Sequence, residues 1–247
     1  MDGFRTSEFT AGPAWPTVRS RAFRILMSHS TPLQRLAALD TSTVSDVLDF
    51  LGLPGATWGL LPLWDCPPVC GRASTIQLGP RRDAAPKAHL ISPVIDAITE
   101  ADRVLVVAGG IEGVSCWGDI LANAAMVKGV RGSVIDGYAR DIEGSEAVGY
   151  PLYGRGLTMI SARGRIEQVA AGVPVRMAGV TVRQDDYVRA DRCGVAFVPQ
   201  ERIGEVLELG ERIASRQRQM IEAVRAGRPV AEVMHDREFA ALAPPAR

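Results

Sequence analysis

Four cysteines, three histidines and 6% aromatic residues in 247 positions deprive several chemistries of their usual carriers. Cys66, Cys70, Cys116 and Cys193 are too few to build a disulfide scaffold, and a chain this long does not need one, so free thiols are expected. Cys66-Pro-Pro-Val-Cys70 has no second Cys/His pair to complete a zinc centre. His29, His89 and His235 are scattered, without the helical pair spacing of a metal motif. Charge of neither sign is in excess: 28 Lys plus Arg meet 28 Asp plus Glu, so no overall field favours nucleic acid or an anionic membrane. Long apolar runs are also missing. The stretch Val104-Leu105-Val106-Val107-Ala108 is strand-length, far short of a bilayer span, and the first residues lack a basic segment followed by an apolar one. A cytoplasmic protein with no nucleic-acid or membrane partner is expected.

What is present reads as one large α/β domain. Residues 1–30 mix Gly, Pro, Ser, Thr and Arg with little periodicity and are expected to be an N-terminal extension, and residues 31–247 a single domain. Val44, Val47, Leu48 and Leu51 fall at helical spacing, with Ser/Thr caps before them and Gly52 after. Gly71 to Leu78 alternates like a strand, Pro93 to Thr99 suits a helix, and Arg103 to Ala108 a buried strand. A loop is expected from Gly109 to Gly118, then a helix over Asp119 to Lys128 and a short strand over Ser133 to Asp136. Later segments around Thr158, Ile166, Val180, Tyr187 and Val195 read as antiparallel or mixed strands. Glu201 to Ala226 keeps one helical face through Ile203, Val206, Leu207, Ile213 and Met220.

The segment from Trp117 to Asp141 carries the chemistry. Asp119 opens a helix, and Arg140 and Asp141 follow the glycine turn after the next strand; in a strand-helix-strand unit both places can face one crevice. Asp141 offers a hard oxygen ligand for Mg²⁺ or Mn²⁺, and Asp119 can hold water on such an ion. Arg140 supplies a planar fork for a carboxylate or a 2-oxo oxygen. The first-turn amides of Ile120 and Leu121 can take a substrate carboxylate, and Trp117 is placed to line the pocket. The same residues have plainer readings: Asp119 as an answer to the helix dipole alone, and Arg140 with Asp141 as a surface ion pair.

The pattern Asp119, twenty intervening residues, Arg140-Asp141 resembles the signature of RraA-like 4-hydroxy-4-methyl-2-oxoglutarate aldolases. Trp117-Gly-Asp-Ile-Leu-Ala122 and Gly132-Ser-Val-Ile-Asp-Gly-Tyr-Ala-Arg-Asp141 are similar to that family's two flanking motifs, and the likeness extends over about residues 31 to 227. The resemblance implies a β-rich α/β sandwich like the phosphohistidine swivelling domain, assembled as a homotrimer or hexamer with sites between subunits. It implies catalytic roles for Asp119, Arg140 and Asp141, with Asp141 as direct metal ligand, Asp119 holding metal waters and Arg140 stabilising enolate charge. The implied reaction is class II retro-aldol cleavage or decarboxylation of a 2-oxo acid, releasing pyruvate.

Two departures stand out. The turn Ala190-Asp-Arg-Cys-Gly194 replaces an acidic family turn, and Arg216 or Gln217 falls where the aldolases carry a glutamate on the C-terminal helix. Arg72 is a further expected substrate contact, and Tyr138 lies close enough in sequence to line the pocket. A competing reading is a non-catalytic protein like the ribonuclease-inhibiting branch of the same family, which lacks an acid at the place of Asp119. Methyl transfer is disfavoured because no glycine-rich nucleotide loop follows the first strand.

Overall fold

A computed structural model describes residues 30–82 and 89–234. His29, His235 and nearly all of the expected extension lie outside them. Two helices open the body, α1 (Pro32–Ala37) and α2 (Thr41–Phe50). Asp40 caps α2 by accepting from the Thr43 amide, and the buried positions Val44, Val47 and Leu48 form its inner face. Then follow β1 (Leu61–Pro62), β2 (Val69–Pro80), α3 (Ser92–Asp96), β3 (Arg103–Ala108), β4 (Ser115–Trp117), α4 (Asp119–Val127), β5 (Ser133–Ile135), β6 (Tyr138–Ala139) and α5 (Ile142–Ala147). The second half holds β7 (Leu152–Gly154), β8 (Gly156–Leu157), β9 (Ile166–Ala171), β10 (Val175–Met177), β11 (Val180–Val182), β12 (Tyr187–Asp191), β13 (Gly194–Val198), α6 (Ile203–Arg225) and α7 (Val230–Val233).

The main sheet runs β1-β7-β5-β3-β2-β12-β13, with β9 pairing on β2. Its centre, β7-β5-β3-β2, is parallel, while β1, β9, β12 and β13 pair antiparallel. The sheet curves until its ends nearly meet: Ala56 bridges Ala196 on β13, and Leu61, five residues on, pairs Gly154 on β7. Gly55 is required at this seam, because a Cβ there would stand 2.2 Å from the Phe197 carbonyl oxygen. Strand alternation divides the core. Val104, Val106 and Ala108 of β3 face an inner cluster with Val134, Val188 and Phe197, whereas Leu105 and Val107 face the outer layer with Ile95, Trp117 and Leu121. Each such fully buried valine or leucine contributes about 1.5–3 kcal/mol relative to an exposed one.

Three of the parallel strands do not stop at the edge of this sheet. The chain leaving β3 continues through a turn into β4, that leaving β5 passes through Asp136 and Gly137 into β6, and that leaving β7 passes through Arg155 into β8. There β4, β6 and β8 form a separate parallel three-stranded sheet, in which Ser115 and Gly156 both register with Tyr138. The sequence reading placed a loop across Ser115–Trp117; this strand is instead three residues long and buried throughout, so it shows no alternation. The helix α5 was also absent from that reading, and Thr158 to Ser161 lies just past β8 rather than in a strand.

On the far side α1, α2 and α6 pack together over β12 and β13, with Leu36, Val47, Val206 and Ile213 fully buried. Arg189 joins these layers. It is 7% exposed, and its Nε donates to the Leu39 carbonyl at 2.7 Å while Nη1 donates to Ala190 at 2.8 Å. A buried cation is tolerable here because carbonyl dipoles satisfy it and the Asp191 carboxylate lies 3.9 Å away. The long α6 agrees with the expected C-terminal helix, preceded by a 3₁₀ turn over Gln200–Arg202.

Candidate active site

The ends of the small sheet carry the side chains that the sequence singled out. β4 ends at Trp117 and delivers Asp119 at the start of α4; β6 ends at Ala139 and delivers Arg140 and Asp141. The two strand ends are held side by side, the Arg140 amide donating to the Trp117 carbonyl at 3.0 Å. Asp141 has φ 53, the left-handed region that aspartate tolerates better than bulkier residues. Although it occupies the cap position of α5, its carboxylate makes no cap bond. It turns back instead: Oδ2 meets Arg140 Nε at 3.2 Å and would lie 3.2 Å from a Cβ placed on Gly118.

Asp119 is fixed from the other side. Its Oδ1 accepts from the Ile120 amide at 2.7 Å, its carbonyl accepts from Asn123 Nδ2, and a Cβ on Gly144 would stand 2.4 Å from its own Cβ. Thus α5 packs directly on the residue that opens α4. Asp119, Arg140 and Asp141 therefore share one small neighbourhood, linked through Gly118 and Gly144. Side-chain exposures of 39% for Arg140 and 45% for Asp141 leave the pair open to a ligand. At that exposure the ion pair adds at most about 1 kcal/mol to stability, so stability gives little reason for it.

The other expected contacts are distributed differently. The Trp117 indole is 2% exposed and stacks on Tyr150 at 5.8 Å, so this residue meets the site through its backbone rather than its ring. Leu121 buries its side chain, and its first-turn amide lacks an intrahelical acceptor. The Ile120 amide is already engaged by Asp119, while its side chain is 79% exposed. Arg72 lies elsewhere, over the Tyr187 ring and 3.7 Å from Asp185. Gly118 and Gly144 were not singled out from sequence. An isolated glycine within a helix such as α5 is the one signal that pointed to a close approach there.

Nucleophilic thiol chemistry finds no support beside this site. Cys116, in β4, is buried and its pKa is pushed up to about 12 by that burial, while its Sγ donates to the Tyr138 carbonyl. All four cysteines are free, and only Cys193 is exposed. On α6, the Gln217 side chain accepts from Thr43 Oγ1 at 3.2 Å, and Glu211 is clamped by Arg35 at 2.7 and 3.0 Å. Within one chain, neither of these side chains is directed to Asp141. Among the described residues no group of three or more His, Cys, Asp or Glu side chains forms a metal cluster.

The chain is similar to known proteins in both sequence and fold. Residues 41–197 match the family model described as RraA-like, Aldolase/RraA. The chain is 30% identical over 179 residues to "Putative 4-hydroxy-4-methyl-2-oxoglutarate aldolase" of Halalkalibacterium halodurans, covering 71% of this chain and 80% of that protein. It is 28% identical over 204 residues to Protein DlpA of Legionella pneumophila, covering 83% of this chain and spanning only 33% of that relative's length. The structure of Streptomyces coelicolor RraAS2, described as an unusual member of the RNase ES inhibitor RraA protein family, superposes with a TM-score of 0.68 at 26% identity. That superposition covers 77% of this chain and 94% of RraAS2. With a family match over residues 41–197 and the same fold in a solved relative, this chain belongs to the RraA-like family.

Proposed function

We propose that the chain is a divalent-metal-dependent carbon–carbon lyase that cleaves a 2-oxo acid by retro-aldol reaction or decarboxylation. The observation that carries this reading is the convergence of Asp119 with the Arg140–Asp141 pair at the ends of β4 and β6. The donor set fits a hard cation. Two half-open carboxylates without a histidine or thiolate beside them suit Mg²⁺ or Mn²⁺, which usually retain waters next to one or two acidic ligands. Asp141 would hold the ion directly and Asp119 would hold its waters. When bound, such an ion supplies Lewis-acid polarisation and a base that works near neutral pH.

The chain's own groups account for the remainder. Arg140 presents its guanidinium fork to the carboxylate or 2-oxo oxygen of the substrate and offsets the negative charge that builds there as the bond between C3 and C4 breaks. That charge arises because the bonding electron pair remains on the pyruvate half. A proton must then reach C3 to release pyruvate. The Leu121 amide, at the positive end of α4, adds a further donor for a carboxylate. The exposed Ile120 on α4, and Met159 just past β8 at 91% exposure, suit a site completed by a second copy of the chain, as a trimer or hexamer. Among the described residues no helix is long and apolar enough to cross a membrane.

The decisive assay is pyruvate release from oxaloacetate and from 4-hydroxy-2-oxo acids with Mg²⁺ or Mn²⁺. Turnover that disappears with chelator and returns with either ion supports the lyase. The likeness to RraAS2 favours a second reading, a non-catalytic protein that docks on a ribonuclease. Absence of turnover on these substrates together with saturable binding to such an enzyme would establish that reading instead.

A further inference from the structure

The joints between the main sheet and the small sheet enclose a cavity of about 550 Å³. Its walls come from the C-terminal ends of the parallel strands: Gln77 near the end of β2, Gly109 and Gly110 after β3, Asp136 after β5 and Arg155 after β7. That is where open parallel sheets bind ligands. The floor is bare backbone, and it has to be. Gly109 has φ +79 and a Cβ there would lie 2.0 Å from the Leu78 carbonyl oxygen, while a Cβ on Gly110 would lie 2.6 Å from that of Asp136.

Two arginines line this space. Arg155 is pre-set: its Nε donates to Asp136 Oδ1 at 2.5 Å, and its guanidinium lies 6.0 Å from the centroid of the Trp58 ring. The second oxygen of Asp136 is also used, accepting from the Ala178 amide at 2.7 Å in the turn of the β10–β11 hairpin. This bond ties to the cavity the same hairpin that carries Arg176. In β10, Val175 and Met177 are buried in the inner core and Arg176 between them is exposed. Among the described residues no acid forms a salt bridge with Arg176. The one other acid of the lining, Glu112, is solvent-exposed and can turn outward. With Asp136 consumed by its own partners, the cationic donors of the lining are Arg176 and the outer nitrogens of Arg155.

We propose that this cavity is an anion site, in which Arg176 and Arg155 grip the carboxylate or phosphate group of a small organic anion. It is separate from the Arg140–Asp141 pair: neither of these residues nor Asp119 lines it. The proposal stands without the lyase reading, since it requires neither metal nor turnover.

The test is calorimetric titration of the full chain, in chelator, with inorganic phosphate and with malonate. We expect R176Q to weaken binding about tenfold or more, as the loss of a charge-assisted pair does, and R163Q, at an exposed arginine outside the lining, to leave it unchanged. R176K, which keeps the charge without the fork, should fall between them. Tighter binding of phosphate identifies a phosphoryl ligand, and tighter binding of malonate a carboxylate. The proposal is overturned if neither anion binds, or if R163Q weakens binding as much as R176Q. Because Arg176 is exposed on a short hairpin, R176Q is expected to keep the parent melting temperature, which separates lost binding from lost folding.

Discussion

The two sheets differ in what holds them and in what they hold. In the main sheet, β3 places five of its six residues in the core, and every pairing on either side extends over several residues. In the small sheet the strands are two or three residues long, and each pair of strands shares only two registered positions. A sheet so short cannot stand alone. It persists because its strands are prolongations of β3, β5 and β7, and because Trp117 and Ala139 are buried in the outer core. Stability is concentrated in one sheet, and the open polar ends that chemistry needs are in the other.

This division can be broken at either end. The largest effect is expected for Arg140→Ala and Asp141→Ala, each lowering kcat/KM for pyruvate release by about 100-fold or more, with stability by chemical denaturation changed by less than about 0.5 kcal/mol. Equal losses of stability and activity would mean that the pair is structural. Val106→Ala, in the main sheet, should do the reverse. It should cost about 2 kcal/mol by urea unfolding, from two lost methyl groups and the void they leave, with turnover per folded molecule intact. Gly144→Ala tests the contact between the two regions: its new Cβ would meet Asp119 at 2.4 Å, so either α5 or Asp119 must move. We expect about 1–2 kcal/mol of destabilisation together with a several-fold fall in turnover.

The smallest effect belongs to pH. Burial alone would raise the pKa of Asp191, but the Thr41 hydroxyl and amide, the Cys193 amide and Arg189 outweigh it and hold the carboxyl below its ordinary 3.8. A depressed folded value means that the contribution is fully present above the unfolded pKa and is lost as pH falls through the folded one. Asp191→Asn should therefore lower the melting temperature at neutral pH and leave it nearly unchanged well below about pH 3.

The sequence made the long, periodic elements plain. The strand Arg103–Ala108 and the helix starting at Asp119 fall where their apolar patterns place them, because each buries a full face. The small sheet was invisible for a physical reason: two or three consecutive buried residues carry no period, and β4 and β6 are fixed by their neighbours rather than by their own composition. Asp119, Arg140 and Asp141 stood out because their types and spacing suit a cation and an oxyanion, and the likeness to a known family sharpened that. Their packing through Gly118 and Gly144 did not stand out, since a glycine announces freedom and not what lies against it. The core position of the Trp117 ring was likewise hidden, because an aromatic beside a motif reads equally well as a lining residue or a packing one.

The seam between Ala56 and β13 has one more consequence. A long open strand at the margin of a sheet is a template on which other chains can build, and proteins usually blunt it with charge or proline. Here residues 56–62 run from β13 to β7 and cover both ends of the β1–β13 order, with a two-residue strand that ends in Pro62, while β9, paired with β2 alone, stands outside this closure. A chain folded this way shields those two margins from edge-to-edge polymerisation by its own circumference, and any change that unseats Ala56 and Thr57 should first show itself as aggregation.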